Sequence, residues 1–205
     1  MVGGGRGATV EHCVHAFDAL HSHFRRAECP PPAFATDEEY PLFVTWNKRD
    51  GDGHAQLRGC IGSLRAQPVL AIKDYALSSA LQDRRFPPID EAEVPLLECT
   101  VSLLTDFEVA RAWDDWELGR HGVWIDFVDP QGSARNATYL PDVPPEQGWS
   151  KHETIDSLVR KAGYHGAITN RLRGAIRLTR YQSTLSKLSY VEYTQICARS
   201  GAATR

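Results

Sequence analysis

The chain has 205 residues, enough for one domain, or two closely packed subdomains, around a substantial hydrophobic core. Lysine and arginine number 23 against 26 aspartates and glutamates, and a net charge of −3 disfavours general nucleic-acid binding. No apolar run approaches the roughly 18 residues of a membrane span, and the five scattered cysteines suggest no disulfide framework, so we expect a reducing, intracellular compartment.

The first part of the chain predicts a helix, a β-hairpin and a second helix. Apolar residues recur at three- and four-residue steps over 9–27, which predicts an amphipathic helix. Strand-forming runs at 42–48 and 56–64 flank two Asp-Gly pairs, which indicates a hairpin. The sequence LRGCIG, residues 57–62, should then lie at the end of a hairpin strand, just before a helix over 68–82.

The second part of the chain contains the clearest helix signal. Ser150 and Glu153 have the spacing of a capping box, and Gly163 suits the position that follows a helix. The other predicted elements are a strand at 98–107, a hairpin within 122–140, a strand at 175–182 and a helix at 189–197. Short strands interleaved with helices indicate an α+β fold with a mostly antiparallel or mixed sheet.

Cys60 lies between Gly59 and Gly62, two positions after Arg58. Glycines allow unusual backbone angles and let a ligand approach the backbone closely. A nearby guanidinium can stabilise a thiolate, which is the nucleophilic form of cysteine. The residues fit two alternatives: an activated cysteine at a ligand-binding turn, or a small buried cysteine in a strand.

A cysteine nucleophile needs a base, and three histidines are candidates. His121 begins a predicted strand after a turn, where its imidazole could lie at an edge. His54 is in the turn before LRGCIG, and His152 is on the capped helix. None has a spacing that demands pairing with Cys60, and each also fits a surface or structural histidine. We take His121 as the general-base candidate.

Two further segments could contribute to a site. Asp83 and Arg84, with Arg85, follow the second predicted helix and could clamp an anion, although cations also complement the dipole at a helix C-terminus. The segment ATYLPDVPPEQGW, residues 137–149, concentrates polar and aromatic groups that include Tyr139 and Glu146. Its prolines suit a rigid site loop and equally a tight crossover.

Metal and nucleotide motifs are absent from the sequence. It contains no C-x-x-C, no H-E-x-x-H and no paired ligand spacing. GGGRG near the N-terminus lacks the preceding strand that a phosphate-binding loop requires. We therefore expect no metal and no cofactor.

Six segments of the chain, taken together, resemble one known family. They are LRGCIGSL, YALSSALQDRRFPPI, TVSLLTDFE, DWELGRHGVWIDF, ATYLPDVPPEQGW and TIDSLVRKAGYHGAIT. In this order they resemble the AMMECR family, in particular its eukaryotic branch, from about Thr9 to Tyr193. LRGCIG is the signature of that family, and all six of its residues are present here.

The resemblance implies a single α+β domain with a larger and a smaller subdomain around a curved mixed sheet. We accordingly expect a flexible N-terminus over 1–8, the AMMECR-type domain over 9–195 and a C-terminal tail over 196–205. The family has no established reaction. The resemblance also implies a cytoplasmic or nuclear protein and a functional association with Memo-type proteins.

The leading hypothesis is an intracellular enzyme with a cleft around LRGCIG. Its predicted site residues are Cys60 as the reactive thiol, Arg58 as the stabilising cation and His121 as the base, with Gly59, Gly62, Asp83, Arg84, Tyr139 and Glu146 contacting the substrate. The alternative is a protein-interaction module that uses aromatic and arginine side chains, because those residue types dominate binding hot spots. Nucleic-acid binding ranks third because of the negative net charge.

Overall fold

The computed structural model describes residues 7–51, 54–199 and 201. The first six residues of the predicted N-terminal segment, residues 52–53 of the predicted hairpin turn, and residues 200 and 202–205 of the predicted tail lie outside this description. No helix in the described part of the chain is both long enough and apolar enough to cross a membrane.

Six strands form one sheet in the order β2-β1-β3-β6-β4-β5. The strands are β1 (Glu39–Arg49), β2 (Ala55–Pro68), β3 (Leu97–Val109), β4 (Gly122–Val128), β5 (Ala134–Tyr139) and β6 (Arg177–Ser189). Pairing is antiparallel between β1 and β2, β1 and β3, β4 and β5, and β4 and β6. Both predicted hairpins are therefore confirmed, and so is the α+β class.

Six α-helices accompany the sheet in the described residues. They are α1 (Val10–Arg25), α2 (Ile72–Leu81), α3 (Val143–Glu146), α4 (Lys151–Lys161), α5 (Asn170–Gly174) and α6 (Tyr190–Arg199). The capping box predicted for α4 is present, because the Ser150 hydroxyl accepts from the Glu153 amide while Glu153 accepts from the Ser150 amide. Helix α1 ends two residues earlier than predicted, because Arg26 adopts a left-handed conformation.

Further boundaries differ from the sequence prediction, and the largest difference is at β6, which ends at Ser189 and not at residue 182. Strand β2 continues to Pro68, so LRGCIG lies in the middle of the strand and not at its end. A short 3-10 turn over Val69–Ala71 then leads into α2. Helix α6 ends at Arg199, four residues into the segment that we predicted as the C-terminal tail.

The chain divides into two compact units, one of residues 1–103 and 184–205 and the other of residues 104–183. In the first unit, the side chains on one face of β1 and β3 are fully buried and form a core with side chains of α1 and α2. Trp46 packs edge-on against Phe17, with ring centroids 5.0 Å apart, and its indole nitrogen donates to the Ala76 carbonyl at 2.9 Å. The helices therefore cover one face of this part of the sheet.

The second unit has its own core. Ile155, Leu158 and Val159 of α4 pack with Val123 and Ile125 of β4, and all five are fully buried. The buried residues of α4 therefore follow the helical period, and those of β4 follow the strand alternation, that the sequence predicted. The predicted extent of the domain, residues 9–195, stays a prediction.

We expect the first unit to lose stability as the pH falls from about 7.5 to about 5.5. Burial lowers the pKa of His12, His15 and His21 on α1 below the ordinary value, so the unfolded chain binds more protons in this range. The stabilisation is complete above the unfolded-state pKa and is lost as the pH falls towards the folded-state pKa. Urea midpoints at the two pH values measure it. Identical urea midpoints at the two pH values would contradict the prediction.

Candidate functional site

The Cys60 thiol lies half-buried on the sheet face opposite to the helices. Cys60 pairs with Thr45 of β1, and the Thr45 hydroxyl donates a hydrogen bond to the Cys60 sulfur at 3.1 Å. The neighbouring pair, Trp46 and Gly59, faces the helices. Because successive residues of a strand point to opposite faces, the thiol is kept out of the helix-covered core.

The backbone of Cys60 is held by a side-chain ion pair. Its amide donates to Oδ2 of Asp83 at 2.9 Å, and its carbonyl accepts from Nη2 of Arg85 at 2.9 Å. Strand β2 lies at the edge of the sheet, so these are the groups that a further strand would bind. Asp83 and Arg85 therefore replace such a strand at Cys60 and fix the position of the thiol.

The Asp83 carboxylate is saturated with hydrogen bonds. It accepts from the Cys60 amide, from the Arg85 amide at 3.1 Å, and from Nε and Nη2 of Arg85 at 2.9 and 2.6 Å. Hydrogen bonding from the Arg85 side chain is the largest cause that holds the pKa of Asp83 well below its usual value. Asp83 is thus an ionised, buried anchor for the loop after α2.

Arg58, the predicted stabilising cation, is bonded to groups other than Cys60. A register shift leaves it without a partner on β1, between the pairs Leu57–Asn47 and Gly59–Trp46. Its guanidinium donates to Glu93 at 2.8 Å, and also to the carbonyls of Pro87 at 2.6 Å and Pro88 at 3.1 Å.

These bonds commit Arg58 to the structure around the loop after α2. The Arg58 side chain is only 13% exposed, and its hydrogen bonds are the main cause that lowers the pKa of Glu93 to about 2. The arginine that contacts Cys60 is Arg85. The role of Arg58 as the stabilising cation stays a prediction, which these bonds do not favour.

Close packing explains both glycines of the motif. A Cβ at Gly59 would overlap the backbone carbonyl of Ser79 in α2, and a Cβ at Gly62 would overlap the Leu42 carbonyl and the Phe43 ring. Neither glycine has the positive φ that would by itself require glycine. Their predicted contact with a substrate stays a prediction.

A second polar group lies next to the thiol site. Thr45 pairs with Thr100 of β3 as well as with Cys60, so the three side chains form a row across three strands. Thr100 is 7% exposed, and its hydroxyl has no hydrogen-bond partner in the described residues. Leaving a buried hydroxyl unpaired costs about 1–3 kcal/mol, and such a group calls for an explanation.

His121 belongs to the second unit and is engaged locally. Its Nδ1 accepts from the Glu117 amide at 2.9 Å, and burial is the largest cause that lowers its pKa. An imidazole that accepts at Nδ1 and is neutral carries its proton on Nε2, which leaves no lone pair for a general base. This bonding argues against the predicted role of His121.

The other predicted site residues are placed as follows. Tyr139 is in the second unit, where its hydroxyl bonds Ser157 at 3.0 Å and the Lys161 ammonium lies 4.4 Å from its ring centre. Glu146 is exposed at the end of α3, also in the second unit. Arg84 is exposed in the first unit. The predicted contacts of these residues with a substrate stay predictions.

Sequence reasoning missed Thr45 and Thr100. The alternation of Leu42, Val44 and Trp46 placed Thr45 on the opposite face, and this signal could have found it. Thr100 has no comparable signal, because β3 is buried on both faces from Leu97 to Thr105. In the described residues, no group of three or more histidine, cysteine, aspartate or glutamate side chains is arranged to hold a metal ion.

A family model and several known proteins match most of this chain. A family model described as AMMECR1 matches residues 13–186. An uncharacterised protein of Arabidopsis thaliana is 55% identical over 188 residues, which cover 91% of this chain and 87% of that protein. An uncharacterised protein of Schizosaccharomyces pombe is 40% identical over 187 residues, which cover 89% of this chain and 94% of that protein.

A solved structure has the same fold. The crystal structure of an uncharacterised protein from Pyrococcus horikoshii matches with a TM-score of 0.66 at 26% sequence identity. The match covers 88% of this chain and 92% of the other. The descriptions of these three relatives give no reaction, so a proposal about function must start from the geometry around Cys60.

Proposed function

The chain belongs to the AMMECR1 family, and on that premise we propose that it is an enzyme whose reacting atom is the Cys60 sulfur. The observation that carries the proposal is the hydrogen bond from the Thr45 hydroxyl to this sulfur, on a half-buried face of the sheet. A hydroxyl donor stabilises the negative charge of a thiolate, which is the form that attacks electrophiles.

In the proposed reaction Cys60 attacks an electrophilic carbon of a small substrate. The sulfur lone pair forms an S–C bond, and the electron pair of the bond that breaks stays with the leaving group. The Asp83–Arg85 ion pair holds the sulfur in position through the backbone and does not need to touch the substrate for this purpose. Positioning of this kind lowers the entropic cost of reaching the transition state.

We expect iodoacetamide at pH 7.5 to alkylate Cys60 at least about tenfold faster than Cys29 and Cys197, the other half-buried cysteines. Burial raises the pKa of both reference thiols, which slows their reaction. Quantitative peptide mass spectrometry of the full chain measures the three rates. Cys60→Ser identifies the labelled peptide.

The variant Thr45→Val tests the hydrogen bond on which the proposal rests. Loss of the hydroxyl donor should slow alkylation of Cys60 by about tenfold, the equivalent of one hydrogen bond to a charged group. Thr100→Val is the matched control, because it removes a neighbouring hydroxyl that does not bond the sulfur. Equal rates at the three cysteines, or no effect of Thr45→Val, would contradict the enzyme proposal.

A protein-interaction module is the second candidate. The backbone bonds of Cys60 to Asp83 and Arg85 favour it, since they give LRGCIG a structural role that does not involve the thiol. Arg85, which lies 5.5 Å from the Phe86 ring centre, belongs to the residue types that are enriched at interfaces. An unreactive Cys60 in the alkylation experiment would leave this second candidate in place.

A further inference from the structure

We propose that Arg85 binds an anionic group of the substrate of Cys60, so that the substrates of this site are small carboxylates or related oxyanions. The inference rests on the proposed function and deepens it. It is drawn from the donors of Arg85 that the protein leaves unused, from their exposure and from their closeness to the thiol.

The guanidinium of Arg85 has N–H donors that do not bond any described residue. An arginine side chain has five N–H donors, and Arg85 uses three of them, one from Nε and two from Nη2, on Asp83 and on the Cys60 carbonyl. Its Nη1 makes no hydrogen bond to any of the described residues, and the side chain is 56% exposed. Two N–H groups of a fixed guanidinium are therefore open to solvent.

Three other ion-paired arginines of the chain use the same nitrogen internally. Nη1 of Arg58 donates to the Pro87 carbonyl, that of Arg173 to Asn170, and that of Arg180 to Asp115. These three arginines are also much less exposed, between 13% and 27% for the side chain. Arg85 differs from these three in both respects, and Arg49, which is 49% exposed and bonds Glu98 through Nη2, resembles it. Of these five arginines, Arg85 is the one that bonds Cys60, so its unused donors are placed at the proposed site, where an external oxyanion could bind them.

Asp83, the ion-pair partner of Arg85, does not prevent an anion from reaching the unused donors of Arg85. All four of the hydrogen bonds that Asp83 accepts come from protein N–H groups, and only 7% of its side chain is exposed. An incoming anion therefore meets the guanidinium edge and not the carboxylate. The neighbouring Arg84 is exposed and adds a second positive charge.

The guanidinium also lies next to the residue that carries the reacting atom. Nη2 of Arg85 bonds the carbonyl of Cys60 itself. The pKa of Arg85 is raised, mainly by its hydrogen bond to Asp83, and the charge of a Cys60 thiolate contributes in the same direction. An anion held by Nη1 would therefore be bound by a guanidinium that is itself fixed to the backbone of Cys60.

Two alkylating reagents of similar size but different charge test the inference. Iodoacetate carries a carboxylate and iodoacetamide does not, and the ratio of their rates at one cysteine reports attraction of the anion. We expect this ratio at Cys60 to exceed the ratio at Cys29 and Cys197 by at least about fivefold at low ionic strength, and to fall as salt screens the charges. The full chain is used throughout.

Substitutions of Arg85 test whether this residue causes the preference of Cys60 for iodoacetate. Arg85→Gln should reduce the ratio at Cys60 to that of the reference cysteines, and Arg85→Lys should retain part of the preference because it keeps the charge. Arg65→Gln, at an exposed arginine farther along β2, is the control for the loss of one exposed cation and should change the ratio less than twofold. Melting temperatures show whether each variant remains folded, and Arg85→Lys remains informative if Arg85→Gln does not fold.

The outcomes separate this inference from the proposed function. A Cys60 that reacts rapidly with iodoacetamide but shows no preference for iodoacetate would overturn the role of Arg85 and leave the reactive thiol standing. A preference that survives Arg85→Gln would also overturn it. If Cys60 reacts with neither reagent faster than Cys29 and Cys197 do, the proposed function fails, and this inference fails with it.

Discussion

Gly59→Ala should lower the free energy of unfolding by about 3 kcal/mol or more, the upper range for overpacking a core. The added methyl group would overlap the Ser79 carbonyl oxygen in α2. Because that atom belongs to the backbone of a helix, no side-chain rotation can relieve the overlap. Either α2 moves away from β2 or the strand bends, and both changes disturb the packing of Trp46 on Ala76.

Gly174→Ala is the matched control for this prediction. Apart from its chain neighbours and the backbone of α5 itself, no atom of the described residues lies within 4 Å of a Cβ built at Gly174, the last residue of α5. Its φ is not in the left-handed range. The control should change the free energy of unfolding by less than about 1 kcal/mol, in the stabilising direction. Urea denaturation of both variants measures the difference. Equal stabilities would show that β2 and α2 are not in the described contact.

Asp83→Asn should cost about 2 kcal/mol of unfolding free energy, because hydrogen bonds to a charged group are lost and donors are left unpaired. All four of the hydrogen bonds that Asp83 accepts come from N–H groups. An amide has one oxygen and one NH₂ group. Two of the four N–H donors would therefore face the NH₂ group, which cannot accept a hydrogen bond. The loop after α2 should loosen and alkylation of Cys60 should change with it.

Asp129→Asn separates the local effect from general destabilisation. Asp129 is a buried carboxylate of the second unit that accepts from backbone amides and from Arg135, as Asp83 does from Cys60 and Arg85. This control should also destabilise the chain, but it should leave the alkylation rate of Cys60 unchanged. A Cys60 rate that Asp83→Asn leaves unaltered would contradict the positioning role of Asp83.

The ion pair also has a pH dependence of known sign. The pKa of Asp83 is lower in the folded chain than in the unfolded chain, so the unfolded state binds more protons as the pH falls. The stabilisation is present above the ordinary carboxyl pKa and is lost as the pH falls towards the folded value. It therefore acts below the range in which the buried histidines of α1 titrate.

Much of the fold could be predicted because it follows from local patterns. The alternation in β1 and β4 and the capping box of α4 each involve residues within one element, so the sequence alone displays them. The two hairpins follow from turn residues between such runs. The end of α1 could not be predicted in this way, because Arg26 adopts a left-handed angle without being glycine or asparagine.

The site was harder to predict because it depends on register. A one-residue shift at Arg58 turns its side chain towards Glu93, 35 positions later in the chain. Spacing alone had placed the Arg58 guanidinium beside Cys60. The role of Arg85 depends in turn on how the loop after α2 returns to β2, and hydrophobic periodicity contains no information on that path.

The position of the Asp83–Arg85 pair has a consequence for how the protein behaves at high concentration. A long strand at a sheet edge offers unpaired amide and carbonyl groups to which a second chain can add, which is a common start of aggregation. Here Asp83 and Arg85 occupy those groups at Cys60, and irregular pairing around Arg58 and after Ser63 interrupts the strand on either side. The pair that holds the thiol therefore also protects the chain against self-association through its sheet edge.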